Sequence, residues 1–345
     1  MNSNPADSLE GVNLGNGWTV KEKIVRKPTS TGGCFSVGYK VVDSAGKEAF
    51  LKALDFSKAL HDPDPVQALK TVTTLFTFER DLLAKCRDRK LNRILTPLAD
   101  GNINIPGFGD WGLVYYLIFE MAKGDIRNVQ GDYRQIDLLW CLSSLHHVAV
   151  GLNQLHKSSV AHQDIKPSNI LDMGSDGNKI SDLGRSSDQS QQCPWDNVSI
   201  AGDQGYAPVD LYYKDTGVEG FEKRILTDLY LLGSLFFFHF SGISAVHALR
   251  MKLQGVPLAG KSFKEDLPYL QHAFAETLTD LENEVKNLAG KLSESIMLMV
   301  YQLCQPNPAI RGDPKWRGSV VSPYDLQRYI SGLSLLIGKA KVGLK

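Results

Sequence analysis

The chain has 345 residues, enough for two domains or lobes with sizeable cores. Lys plus Arg number 38 and Asp plus Glu also 38, so there is none of the basic excess that nucleic-acid or membrane-surface binding needs. The five cysteines (Cys34, Cys86, Cys141, Cys193 and Cys304) lie far apart with no CxxC, which argues against a structural zinc site and for free thiols in a reducing, cytoplasmic setting.

Residues 1–17 are polar and rich in Gly and Asn, without the basic and apolar regions of a signal peptide, and read as a flexible arm. Strand-like patterns follow at 18–25, 37–42 and, through a turn at 43–47, at 48–54. The intervening loop carries Gly32 and Gly33, small enough for backbone amides to approach a phosphate, although an ordinary hairpin turn fits equally. Lys52 is flanked by apolar residues on an inner strand. It needs an anionic partner if buried, because an unpaired ammonium in the interior is costly. Glu79 is the candidate, on a helix implied by Leu75, Phe78, Leu82 and Leu83 after an extra loop at Asp62-Pro63-Asp64-Pro65. A solvated strand lysine is the alternative.

Residues 94–98 and 113–120 read as two buried strands, the second ending in a linker. Leu138, Leu142, Leu145, Val148, Ala149, Leu152 and Leu155 recur at helical spacing and predict a long helix over 137–157. His146 and His147 diverge by about 100° on such a helix and cannot share one metal; with His156 they read as packing or surface residues. The apolar run 229–238 falls far short of the roughly 20 residues that span a bilayer, and reads as a buried core helix. Amphipathic helices are expected in 267–303 and 324–336.

The most informative run is Val160-Ala161-His162-Gln163-Asp164-Ile165-Lys166-Pro167-Ser168-Asn169-Ile170-Leu171, followed by Ile180-Ser181-Asp182-Leu183-Gly184. Two Val/Ile-rich pieces flank a polar loop, as in a short hairpin that fixes its side chains. The residue types suit phosphoryl transfer. A carboxylate orients the attacking hydroxyl, a lysine neutralises the moving phosphoryl, and an amide oxygen with a second carboxylate holds Mg²⁺. The pattern H-x-D-x-K-x-x-N with a following D-L-G resembles the catalytic loop and metal-binding segment of eukaryotic-type Ser/Thr protein kinases, and its departures look like those of a divergent bacterial member.

That resemblance, over roughly 18–336, implies an α+β bilobal fold with an antiparallel-sheet N-lobe at 18–122 and a mostly helical C-lobe at 123–345. It implies ATP and Mg²⁺ as cofactors and protein substrates as partners, with no nucleic acid or membrane. Asp164 becomes the base, Lys166 the γ-phosphate ligand, Asn169 and Asp182 the metal ligands, and His162 a brace. Lys52, Glu79, Gly32 and Gly33 serve the ATP phosphates, and the backbone of Glu120 and Ala122 serves adenine. Asp210, in Gly205-Tyr206-Ala207-Pro208-Val209-Asp210, pairs with Arg311. Asp228 braces the catalytic loop, with a plain helix cap as the alternative.

Several positions depart from the family's pattern. Thr31 and Ser36 stand for two loop glycines, and Gly38 stands where a valine packs on adenine. Gln163 replaces the arginine that pairs with a phosphorylated activation loop, which implies independence of that switch. Asp203 stands where a threonine contacts the base, and Asp210 replaces a glutamate. Residues 184–208 form the activation segment, with Ser186, Ser187, Ser190 and Ser199 as candidate phosphate acceptors, and 212–225 is a candidate docking insertion. The function implied is an ATP- and Mg²⁺-dependent Ser/Thr protein kinase that also phosphorylates itself. A catalytically weak binding module is the alternative. A small-molecule kinase ranks last, since such enzymes lack the Asp-x-Lys-Pro-x-Asn arrangement.

Overall fold

The computed structural model describes residues 4–25, 35–129, 137–253, 262–316 and 324–343. The chain divides into two compact units, residues 1–123 and 124–345.

In the first unit, β1 (Trp18–Lys23), β2 (Ser36–Asp43) and β3 (Glu48–Leu54) are followed by a short α1 (Ser57–Leu60) and the long α2 (Pro65–Asp88). Then come β4 (Ala99–Asn104) and β5 (Leu113–Glu120), and the five strands make one antiparallel sheet in the order β1-β2-β3-β5-β4. Side chains alternate across the sheet with period two. Ala49, Leu51 and Ala53 of β3 are fully buried among Tyr39, Val41, Val114 and Ile118, while Phe50 and Lys52 occupy the half-buried opposite face. In register, Lys52 lies opposite Gly38 on one side and Leu117 on the other.

Two expectations are corrected here. The segment expected to be a flexible arm is packed: Ala6, Leu9 and Leu14 are buried in the sheet's core. Its backbone is tied down as well. Gly11 N–H donates to Val20 O, Val20 N–H donates to Val12 O at 2.9 Å, and the Tyr39 hydroxyl donates to Ala6 O at 2.7 Å. Three apolar residues at irregular spacing carry no helix or strand period, which is why a polar average hid them. Residues 94–98 do not form a full strand, because Pro97 has no N–H to give a ladder. Their apolar members Ile94 and Leu95 are buried all the same. The strand lies just beyond, in Ala-Asp-Gly-Asn-Ile-Asn, a sequence of low strand propensity that pairing with β5 imposes. The loop expected at Asp62-Pro63-Asp64-Pro65 is present and runs into α2: the Asp64 side chain caps the helix, accepting from Gln67 N–H at 3.1 Å, and Pro65 occupies the first helical position.

The second unit opens with β6 (Gly124–Asp125) and α3 (Ile126–Val129), then α4 (Leu138–His156). β7 (Val160–Ala161), β8 (Ile170–Asp172), β9 (Asn178–Ile180) and β10 (Ser187–Asp188) are short, and pair as β6-β8-β9 and β10-β7. The helices α5 (Gly220–Ser241), α6 (Ala245–Lys252), α7 (Phe263–Ala289), α8 (Ser293–Leu303) and α9 (Gln327–Lys341) follow. α4 packs on α5 and α9, and α5 packs on α6, α7 and α8. Every residue of α5 from Ile225 to Phe240 is buried, so the helix is apolar all round and central to this unit. Among the described residues no single helix is long and apolar enough to cross a membrane; α5 and α6, bent by 78°, pass that test only as a pair.

Candidate active site

Two pieces of backbone position the loop at 162–169. β7 leads into His162, and the β8–β9 hairpin, in register Ile170↔Ile180, ends with Ser181 N–H donating to Asn169 O at 2.8 Å. Asn169 and Asp182 therefore lie at the open end of one hairpin. The Asp228 carboxylate, fully buried in α5, accepts from His162 N–H at 2.8 Å, Gln163 N–H at 2.7 Å and His156 Nε2–H at 2.9 Å. α5 begins at Gly220, two turns before Asp228, which removes the helix-cap alternative. His162 is also fully buried. Its Nδ1 accepts from Asp164 N–H at 3.2 Å, so the ring proton sits on Nε2 and donates to Ser181 O at 3.1 Å.

Around Asp164 the polar groups converge. Asn169 Nδ2 donates to Asp164 O at 2.8 Å and to Asp164 Oδ2 at 3.0 Å. Lys166 Nζ lies 3.1 Å from Asp164 Oδ2 and 3.3 Å from Asp203 Oδ2. Asp203 N–H donates to Asp164 Oδ1 at 2.8 Å. That approach requires Gly202, since a Cβ there would strike Gln163 O and come within 2.8 Å of Asp164 Oδ1. With its amide hydrogens spent on Asp164, Asn169 accepts a long hydrogen bond from Ser168 Oγ at 3.4 Å on its oxygen, whose second lone pair can serve a ligand. Gln163 and Asp182 hold left-handed backbone, with φ of 65° and 62°. Non-glycine residues adopt such angles only where their surroundings enforce them, commonly at functional sites.

An amide oxygen and a carboxylate are hard donors suited to Mg²⁺, which is commonly held by one or two protein groups plus substrate phosphates. Among the described residues no group of three or more His, Cys, Asp or Glu could hold a metal.

The segment after Asp182 is held by contacts that need no phosphate. Gln163 Nε2 donates to Arg185 O at 3.1 Å and to Ser187 Oγ at 2.8 Å. The Arg185 guanidinium lies 3.9 Å over the Trp195 ring, whose Nε1–H donates to Gly184 O at 2.6 Å. Arg224 of α5 donates to Trp195 O, Asp196 O and Val198 O at 2.9–3.0 Å, and burial lowers its guanidinium pKa. Ser186 and Ser187 are buried, which corrects their reading as phosphate acceptors; Ser190 and Ser199 are exposed. The segment closes on Asp210, whose Oδ1 accepts from Arg311 at 2.5 Å, both side chains being fully buried. Arg311 also donates to Gln305 O and Leu226 O, so its charge is wrapped in acceptors.

In the first unit, Lys52 Nζ lies 2.8 Å from both Glu79 carboxylate oxygens. Glu120 is the last residue of β5 and Ala122 follows two positions on, both half-buried. Gly32, Gly33 and Thr31 lie outside the described residues. The reading of His156 as a packing or surface residue missed its bond to Asp228, a partner 72 positions away that no local spacing reveals. Gly202 and Arg224 were missed for the same reason.

A small antiparallel-sheet unit and a larger helical unit that carries such a loop together define the α+β kinase fold. The sequence model for the protein kinase domain matches residues 33–311, and the chain belongs to the protein kinase family. It is 27% identical over 128 residues to "Aurora kinase" of Debaryomyces hansenii, covering 37% of this chain and 30% of that protein. It is 25% identical over 161 residues to "Probable serine/threonine-protein kinase" of Clostridium acetobutylicum, covering 46% and 22%. With "Mitogen-activated protein kinase 4" of Oryza sativa subsp. japonica it shares 28% identity over 120 residues, 34% and 32%. The chain thus spans less than a third of the length of the curated relatives it matches.

Proposed function

We propose that the chain is an ATP- and Mg²⁺-dependent protein serine/threonine kinase. The observation that carries the reading is the convergence of Lys166 and Asn169 on the Asp164 carboxylate, on a loop whose backbone Asp228 fixes. In this reading the acceptor hydroxyl oxygen bonds to the γ-phosphorus as the bond from that phosphorus to the β–γ bridging oxygen breaks, and ADP leaves. Asp164 accepts the hydroxyl proton, and Lys166 faces the phosphoryl oxygens. Bound at Asn169 and Asp182, Mg²⁺ would neutralise phosphate charge. Lys52, fixed by Glu79, contacts the phosphates; Gly32 and Gly33 cover them, and the backbone of Glu120 and Ala122 binds adenine. Lysine at the position of Lys166 favours serine and threonine acceptors in the family it resembles.

Self-phosphorylation belongs to the same proposal, with the exposed Ser190 and Ser199 as the acceptors within the segment. So does a cytoplasmic setting with protein substrates and no nucleic-acid or membrane partner, consistent with four buried cysteine thiols among the described residues.

The test is transfer of label from γ-labelled ATP with Mg²⁺ to the protein itself or to added protein. Asp164→Ala and Asp182→Asn are expected to lower transfer by about a hundredfold or more, with phosphoserine or phosphothreonine as the product of the unaltered chain. No transfer, together with no nucleotide-induced thermal shift, would overturn the reading and leave a binding module.

A further inference from the structure

Lys166 has two carboxylate partners. Its ammonium sits between Asp164 Oδ2 and Asp203 Oδ2, so the three side chains carry a net charge of about −1 with all groups ionised. The two acids are held differently. Asp164 is almost wholly buried and takes further hydrogen bonds from Asn169 and the Asp203 backbone. The Asp203 side chain is 32% exposed, and its Oδ1 is capped by Gly205 N–H at 2.8 Å. Asp203 is therefore the acid of the pair that an incoming group can reach. The surrounding turn is rigid: Ser244 Oγ donates to Gly205 O at 2.7 Å, and Tyr212, itself bonded to Arg250, donates to Gln204 O at 3.1 Å.

We propose that Asp203 is a charge gate that makes a basic residue beside the acceptor hydroxyl the preferred substrate. The inference rests on the kinase reading. A phosphoryl group facing Lys166 draws on the one ammonium charge that Asp203 shares with Asp164, which leaves a part-exposed carboxylate short of a cation. A lysine or arginine of the acceptor polypeptide restores that cation and frees Lys166 at the same moment. The Asp203 backbone is bonded directly to the base, so its carboxylate lies close to where the acceptor hydroxyl must sit. At about 3.3–3.6 Å per extended residue, the basic side chain belongs within two positions of the acceptor. Asp203 acts through Lys166 and the substrate's flank, and is a positioning and specificity residue.

The experiment compares two serine peptides, identical except for arginine or alanine at the flanking positions, with the full chain and with Asp203→Asn. Asparagine keeps an oxygen for Gly205 N–H and removes the charge, so the turn is preserved. The unaltered chain is expected to prefer the arginine peptide by about fivefold in kcat/KM, the size of one part-exposed ion pair. In Asp203→Asn the preference disappears because the rate on the alanine peptide rises. Equal losses on both peptides, or a preference that survives the substitution, would overturn the proposal.

A second measurement needs no catalysis. Fluorescence anisotropy follows a labelled non-acceptor peptide, serine replaced by alanine, carrying either flank and with Mg·ADP present. Tighter binding of the arginine form, lost in Asp203→Asn, supports the gate even if transfer is absent, in which case only the kinase reading fails. No difference between the flanks sinks the gate whatever the transfer assay shows.

Discussion

Asp228 is the residue that fixes the backbone at 162–163 most directly. One carboxylate satisfies two successive backbone N–H groups, at His162 and Gln163, where the second residue is held at positive φ. A buried donor left without an acceptor costs about 1–3 kcal/mol. Asp228→Ala orphans two of these and the His156 ring proton, so a loss of at least about 2 kcal/mol is expected by urea denaturation, with transfer activity falling beyond the change in folded fraction. Asp228→Asn should be nearly as damaging, because its NH₂ group points a donor at a donor. An unfolding midpoint unchanged in both variants would mean that the loop holds its shape without them. The sequence marked Asp228, Lys52, Glu79, Asp210 and Arg311 because each sits in a recognisable local pattern. It had no means of marking His156 or Gly202, whose roles exist only once distant segments meet.

Among elements, the activation segment departs most from a phosphate-switched loop. Gln163 holds its start by neutral hydrogen bonds, and Arg224 holds residues 195–198 through three backbone carbonyls. Since Asp196 and Val198 are exposed, water can replace the guanidinium at those carbonyls. Arg224→Ala should therefore loosen the segment more than it destabilises the unit. Hydrogen exchange at 193–199 is expected to quicken about tenfold, the equivalent of roughly 1.4 kcal/mol for hydrogen bonds to a charged group, while the melting temperature moves little. Exchange confined to its original rate would assign the ordering to Trp195 and Arg185 alone. Elements with a strong signal of their own, α4 by its period and α5 by its apolar run at 229–238, were legible from the chain. Those set by partners were not: β4 has low strand propensity, and the segment before β1 is folded by three scattered apolar residues.

The chain has two compact units, and they should respond differently to acid. His239 lies in α5, 1% exposed, with the Trp140 ring 5.4 Å and the Phe238 ring 5.8 Å away. Burial pushes its imidazole down from 6.5 to about 3. The unfolded chain leaves that imidazole at its ordinary value, so between pH 6.5 and about 3 the unfolded state holds a proton that the native state refuses. Native stability is unaffected by this group above pH 6.5 and falls as pH drops through that window, by about 1.4 kcal/mol per pH unit. At pH 5.0 the loss is about 2 kcal/mol relative to pH 7.5. It belongs to the second unit, so if the two units unfold in separable steps, only the step that reports on α5 should shift by this amount. His239→Phe keeps an aromatic ring in the apolar site and removes the proton. Its unfolding free energy between pH 7.5 and 5.0 should lack that loss, while any slope due to carboxylates remains. Parallel pH profiles for the two proteins would show instead that a polar contact or water near the ring lets the folded state take the proton, and that the acid sensitivity of this unit arises at its ion pairs.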